Sequence, residues 1–277
     1  VPLVPPWVPQ VPPLPDAPGA PEPGDVPAPE TPPPVAPADA PGMDSSDQPP
    51  PAVAPPRRFA SARNHLSRFA QSGDQRSLGS GLRHYTGKGL GGARQAAQRM
   101  GGTAQTAGRL YGALSALRTQ AAEAADIGLD LATLRGRPVR EICDRIVEAV
   151  RPPDGTLDAE ASRQSIGDAL SELMALYPDA DLMDLGQEQI EMVIERYLAY
   201  DTCRRVELDV GQTVYKAAPS VAEGVRRMEE MKAYVREKVY ACFRALRRRG
   251  RQLTRAIAAS FAARVIQDTF TVFEEFV

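Results

Sequence analysis

Few residues of the sequence are of a type that carries out catalysis or binds metal ions. There are two histidines, His65 and His84, and three cysteines, Cys143, Cys203 and Cys242. Their spacing does not match that of zinc ligands, and an odd number of widely separated cysteines favours reduced thiols over a disulfide scaffold. No nucleophile elbow, Walker A loop or strand-linked dinucleotide loop occurs. We therefore predict no catalytic residue, no metal and no cofactor, and we predict that the protein is not an enzyme.

Two short stretches resemble ligand-binding loops superficially. The sequence GKGLGG (87–92) places Lys88 among glycines, but the Ser or Thr that follows the lysine of a phosphate loop is missing. The acids of PDADLMDL (178–185) lack the spacing of a calcium loop. We expect a flexible connector between helices in the first stretch and a solvated helix–helix connection in the second.

Charge and proline content divide the chain into differently composed segments. Residues 1–56 hold 22 of the 27 prolines and seven acids, with no Lys or Arg, whereas residues 57–115 hold ten basic residues against the single acid Asp74. Proline fixes φ and removes a hydrogen-bond donor, so the first segment cannot build a core. We predict a disordered Pro-rich tail over 1–56 with an apolar tip at 1–16, a basic helical segment over 57–118 and a helical bundle over 119–277.

The elements that must position any functional residue are all predicted to be helices. Apolar residues recur at helical spacing after residue 57, and no alternating strand pattern competes with them. Gly73 is expected to end the first helix, while Thr156 and Ser220 are expected to cap later ones. The predicted fold class is all-α, a multi-helix bundle behind a long disordered tail. No apolar run is long enough to span a membrane and no secretory signal is recognisable, so we predict a cytoplasmic protein.

The tip of the tail and the basic segment are the candidate binding regions. Overlapping P-x-x-P spacings and the only tryptophan favour an extended docking strand, although Trp7 folding back on the helical body is an open alternative. The predicted docking residues of the tail are Val1, Pro2, Leu3, Val4, Pro5, Pro6 and Trp7. The predicted contact residues of the body are Arg58, Phe59, Arg63, Phe69, His84 and Tyr85.

The same positive charge also fits a second class of function, the binding of nucleic acid. The basic segment 57–115 and the cluster Arg247, Arg248 and Arg249 have the composition of a phosphate-contacting surface. Few aromatic residues are interleaved with these basic residues, and no known reading motif for nucleic acid is present. A nucleic-acid-binding adaptor is therefore the alternative to a protein-binding subunit.

The order of these segments resembles the QatB family, the small helical subunit of the bacterial Qat anti-phage defence system. The most specific matching pieces are ARQAAQRMGGTAQTAGRLYGAL (93–114) and EAVRPPDGTLDAEASR (148–163). The resemblance implies three partners from the same operon, which are an ATPase, a QueC-like enzyme and a TatD-like nuclease. It also implies that this subunit is the protein substrate of the QueC-like enzyme and not itself the catalyst.

The resemblance further implies where the modification would occur. The QueC-like enzyme would join a 7-deazaguanine group to the N-terminal glycine of a short Gly/Ser-rich leader that precedes VPLVPPW. The sequence begins at Val1 without a methionine, so we expect native residues ahead of it, the acceptor glycine among them.

Overall fold

A computed structural model of the chain describes residues 57–120, 128–250 and 253–276. All the regular structure in these residues is helical, which confirms the predicted all-α fold class. The tail predicted over residues 1–56 lies outside the described residues.

The first half of the described chain consists of four helices and a π-helical turn in close succession. Helix α1 (Ala60–Ser72) packs against α2 (Gln75–His84), which continues into a first π-helical turn (Tyr85–Leu90). Helices α3 (Ala93–Arg99) and α4 (Gly101–Thr119) follow. Gly73 ends α1 with a φ of 76°, as the sequence predicts, and such a left-handed conformation favours glycine.

The second half contains the longer helices. In chain order they are α5 (Leu131–Leu134), α6 (Val139–Val150), α7 (Leu157–Leu176), α8 (Gln187–Val206), a second π-helical turn (Glu207–Gly211), α9 (Gln212–Ala217), α10 (Val221–Arg248) and α11 (Ala258–Glu274). The Thr156 hydroxyl accepts a hydrogen bond from the amide of Ala159, and the Ser220 hydroxyl accepts one from the amide of Glu223. Both predicted N-caps are confirmed.

One hydrophobic core joins the two halves. The last helix, α11, packs against α3 and α4, while α8 packs against α4, α7 and α10. Tyr85, Phe69, Tyr197 and Phe270 are among the largest side chains that are fully buried in this core. The helices of the basic segment therefore depend on the end of the chain for much of their packing.

Glycines let several of these helices approach closely. A Cβ atom added at Gly108 of α4 would lie 2.9 Å from the Cβ and 3.2 Å from the amide nitrogen of Ala259 in α11. Gly108 and Gly112 form a G-x-x-x-G sequence, and the structure shows close helix packing at Gly108. None of the helices in the described part of the chain combines the length and the apolar character that crossing a membrane requires.

Candidate partner-binding surface

The two histidines, distant in sequence, lie side by side on the surface. His65 is on α1 and His84 ends α2, and the packing of these helices brings the ring centroids to 4.8 Å with the ring planes inclined by 34°. Both side chains are half-buried. His84 is one of the residues predicted to contact a partner. His65 is not among those predicted contact residues, because its proximity to His84 arises only when the two helices pack.

Positive charges surround this histidine pair. Partial burial is the first cause that lowers the pKa of both rings. Arg68, Arg83 and Lys88 add repulsion that lowers the pKa of His65 further, and His65, Lys88 and Arg83 do the same for His84. We call these five residues, His65, His84, Arg68, Arg83 and Lys88, the histidine cluster. Since the pKa of each ring is lowered, the free protein carries the pair mainly in its neutral form at neutral pH.

Two predicted contact residues, Arg58 and Arg63, reach the surface beside an aromatic ring. The guanidinium carbon of Arg58 lies 4.5 Å from the ring centroid of Phe59, and that of Arg63 lies 5.9 Å from it. Arg63 also donates a hydrogen bond to the backbone carbonyl of Asp209 at 3.3 Å. These contacts fix the stems of the two side chains while leaving charge exposed to solvent.

The three aromatic residues predicted as partner contacts lie in the core. Phe69 and Tyr85 have no exposed surface and Phe59 has 5%. Phe59 stacks on Tyr85 at 5.3 Å, and the Tyr85 hydroxyl donates to a carboxylate oxygen of Asp209 at 2.7 Å. Burial raises the pKa of the Tyr85 phenol well above its ordinary value. In the free protein these three rings support the surface from beneath, and their contact with a partner stays a prediction.

The charge of the basic segment is not neutralised by carboxylates of the described residues. Within residues 57–120, 128–250 and 253–276, none of the ten basic side chains of 57–115 forms an ion pair. Arginines of the later helices, in contrast, do form ion pairs with carboxylates. Arg196 pairs with Glu172 at 2.8 Å, and Arg264 pairs with Asp268 at 2.9 Å. The basic segment therefore presents excess positive charge to solvent or to a partner.

The second basic cluster, at residues 247–249, is partly engaged within the protein. Arg247 forms an ion pair with Glu191, whose side chain is only 9% exposed, and neighbouring Arg244 pairs with Glu195 at 3.1 Å. These pairs join α10 to α8. Arg248 and Arg249 are exposed at the end of α10.

The glycine-rich stretch 87–92 is ordered by a carboxylate of the chain. Instead of a flexible connector it forms the end of the first π-helical turn, and Gly91 and Gly92 then adopt positive φ values. A carboxylate oxygen of Glu274 accepts the amide hydrogen of Ala93 at 3.0 Å, at the start of α3. The position where a bound anion would meet the helix N-terminus is thus filled by Glu274.

Metal ligands and reactive thiols are the remaining candidates for chemistry. No group of three or more His, Cys, Asp or Glu side chains among the described residues is arranged to hold a metal ion. The cysteines are free thiols, and burial raises the pKa of Cys143 to about 11 and that of Cys203 to about 12. Thiols with such pKa values stay protonated at neutral pH and are poor nucleophiles.

The acidic stretch 178–185 connects α7 to α8. A carboxylate oxygen of Asp181 accepts the amide hydrogen of Met183 at 2.8 Å, which stabilises the turn. The predicted docking residues of the tail, Val1, Pro2, Leu3, Val4, Pro5, Pro6 and Trp7, lie outside the described residues, so their role stays a prediction.

Fold and surface together define an all-helical protein with an exposed basic segment. The family model of the Qat anti-phage system associated protein QatB matches residues 91–273 of the chain. The chain belongs to the QatB family, and its role lies in the Qat anti-phage system. Comparison with curated proteins and with solved structures gave no match.

Proposed function

We propose that this chain is a non-catalytic, cytoplasmic subunit of a Qat defence complex that binds a QueC-like enzyme and presents its N-terminal tail to that enzyme as a substrate. The observation that carries the proposal is the family match over residues 91–273. The ATPase and the TatD-like nuclease of the same system are the further proposed partners, and no membrane contact is proposed.

The composition of the tail supports the role of substrate. An acceptor at the N-terminus must enter an enzyme pocket, and a proline-rich sequence forms few internal contacts that would compete with entry. Proline also restricts the unbound chain, so less conformational entropy is lost when the strand docks. In this proposal Val1, Pro2, Leu3, Val4, Pro5, Pro6 and Trp7 line the entrance of the pocket, Trp7 is the aromatic anchor, and the modification is of the 7-deazaguanine type.

The body supplies a second contact in this proposal. Arg58, Arg63 and His84 are at the surface, and the basic segment around them has no ion pair with a described carboxylate. Docking of the body would raise the effective concentration of the tail at the enzyme, because the second contact becomes intramolecular. Both contacts are then needed for efficient modification.

Co-purification with the QueC-like enzyme tests this two-contact arrangement. Removal of residues 1–16 should weaken binding to the enzyme, whereas removal of residues 27–42, an equally long part of the Pro-rich acidic tail, should leave it unchanged. An equal loss of binding in both deletions would refute specific docking of the tip. Binding that survives the first deletion unchanged would restrict the interface to the body and contradict the proposed entrance.

A nucleic-acid-binding adaptor is the second candidate, favoured by the basic segment, whose cations form no ion pair with a described carboxylate. In this reading the segment and the exposed Arg248 and Arg249 contact phosphates. Affinity for generic duplex DNA should then fall steeply as the salt concentration rises, and Arg248→Gln with Arg249→Gln should reduce that salt dependence. Absence of DNA binding at low salt would eliminate this function.

A further inference from the structure

We propose that the histidine cluster is a carboxylate-binding site and that its ligand is an acidic segment of a protein partner. The inference deepens the proposed function, on which it rests for the source of the partner, but the chemistry of the site is argued from the described residues alone.

Three successive elements build the site. Helix α1 supplies His65 and Arg68, α2 supplies His84 and Arg83, and the first π-helical turn supplies Lys88. The packing of α1 against α2 fixes the two rings, and Arg83 donates a hydrogen bond to the carbonyl of Phe276 at 3.2 Å. Because this bond uses one of the five guanidinium N–H groups, the side chain is oriented while most of its donors remain available.

The acids nearest to these elements are engaged elsewhere. Asp74 caps the start of α2, Asp209 accepts the hydroxyl hydrogen of Tyr85, and Glu274 accepts the amide hydrogen of Ala93. Two further charged residues on neighbouring elements, Lys216 on α9 and Glu275 after α11, are exposed. Arg227 of α10, above Gly73, is paired with Glu223 and Glu230. Among the described residues, no carboxylate is paired with the cluster, so its charge is open to an anionic ligand.

Binding of a carboxylate would be coupled to uptake of a proton. The neighbouring rings favour at most one proton per pair, since two charged rings with centroids 4.8 Å apart would repel each other. A bound carboxylate offsets the repulsion from Arg68, Arg83 and Lys88 and so raises the pKa of the pair. By linkage, affinity then increases as the pH falls, by up to about tenfold per pH unit for one proton taken up.

Two observations favour a protein ligand over nucleic acid. Bases of single strands stack on exposed aromatic side chains, but Phe69 and Tyr85, which directly follow Arg68 and His84 in the sequence, are buried. The five side chains of the cluster come from three successive elements, and their positive charge suits a few neighbouring Asp or Glu side chains. Guanidinium groups bind carboxylates through paired, charge-assisted hydrogen bonds.

Fluorescence polarisation with a labelled oligoglutamate peptide and the full chain tests the site. The peptide should bind about tenfold more tightly at about pH 6 than at about pH 8, because binding that is coupled to proton uptake strengthens as the pH falls. The double variant His65→Asn, His84→Asn should lose this pH dependence while keeping the helical content of the parent protein. A variant that keeps the full pH dependence would overturn the assignment.

Two matched arginine variants distinguish binding at the histidine cluster from general electrostatic attraction of the peptide to the basic segment. Arg68→Gln should weaken peptide binding, whereas Arg99→Gln, which removes the same charge from α3, should have little effect. Equal losses in the two variants, or no peptide binding at either pH, would overturn the proposal. A thymidine oligonucleotide with the same charge as the peptide serves as a further comparison. If it bound as tightly as the peptide and the histidine variants changed its binding equally, nucleic acid would be the ligand and the proposal would be overturned. Modification of the native tail without peptide binding would refute this site and leave the proposed function standing.

Discussion

Replacement of Gly108 by alanine is expected to destabilise the protein, because no space remains for a side chain between α4 and α11. The added Cβ would lie 2.9 Å from the Cβ and 3.2 Å from the backbone nitrogen of Ala259. The backbone of α11 cannot move away as a flexible side chain could. Gly102 on the same helix provides the matched control, because an added Cβ meets no atom within 4 Å there.

The expected magnitude follows from two opposing effects. Alanine favours the helical conformation over glycine by about 1 kcal/mol. Forcing an extra methyl group into a packed interface typically costs about 1–3 kcal/mol. We therefore expect Gly108→Ala to lower the free energy of unfolding by about 1 kcal/mol, and Gly102→Ala to raise it by up to about 1 kcal/mol.

Urea denaturation followed by far-UV circular dichroism measures both variants. The urea concentrations at the midpoints should move in opposite directions. The slope of the free energy of unfolding against urea concentration should stay the same, since neither substitution changes the surface exposed on unfolding. Gly108→Leu should lose more stability than Gly108→Ala. If Gly108→Ala proved as stable as Gly102→Ala, the close packing of α4 on α11 would be refuted.

Three further substitutions test other contacts by the same denaturation assay. Glu274→Ala should lower the free energy of unfolding by about 1 kcal/mol, because α3 loses its cap. Glu274→Gln keeps a side-chain acceptor and should lose less stability. Equal losses in the two variants would contradict the capping role of Glu274. Burial raises the pKa of Asp201, so its contribution to stability falls as the pH rises above the ordinary value of 3.8. In Asp201→Asn the free energy of unfolding should therefore fall less as the pH rises. An unchanged dependence of this free energy on pH would show that Asp201 does not cause the fall. Arg247→Ala should cost about 1–3 kcal/mol because Glu191 loses a charged partner in a mostly buried position, whereas a loss no larger than that of Arg248→Ala would show the pair to be unimportant.

The local features of the fold could be predicted from sequence because their causes are local. Gly73 ends α1 through its own φ, and Thr156 and Ser220 cap helices through amides only three residues ahead. Such signals need no knowledge of the tertiary structure. The all-α class followed in the same way, from apolar spacing within each helix.

The composition of the surface could not be predicted, because it depends on contacts between distant residues. Phe59 and Tyr85 stand beside basic residues in the sequence, as exposed contact residues often do, but the aromatic cluster with Phe270 of α11 buries them. Glu274 and the amide of Ala93 are equally remote in sequence and meet in the fold. The pairing of His65 with His84 likewise needs the packing of two helices.

Intact-mass analysis of the native gene product, co-expressed with the QueC-like enzyme and the other operon proteins, tests the central claim most directly. We expect a mass increase that corresponds to a 7-deazaguanine-type group at the N-terminus. This increase should disappear when the QueC-like enzyme is inactivated. An unmodified N-terminus in cells with active anti-phage defence would contradict the proposed role as a protein substrate.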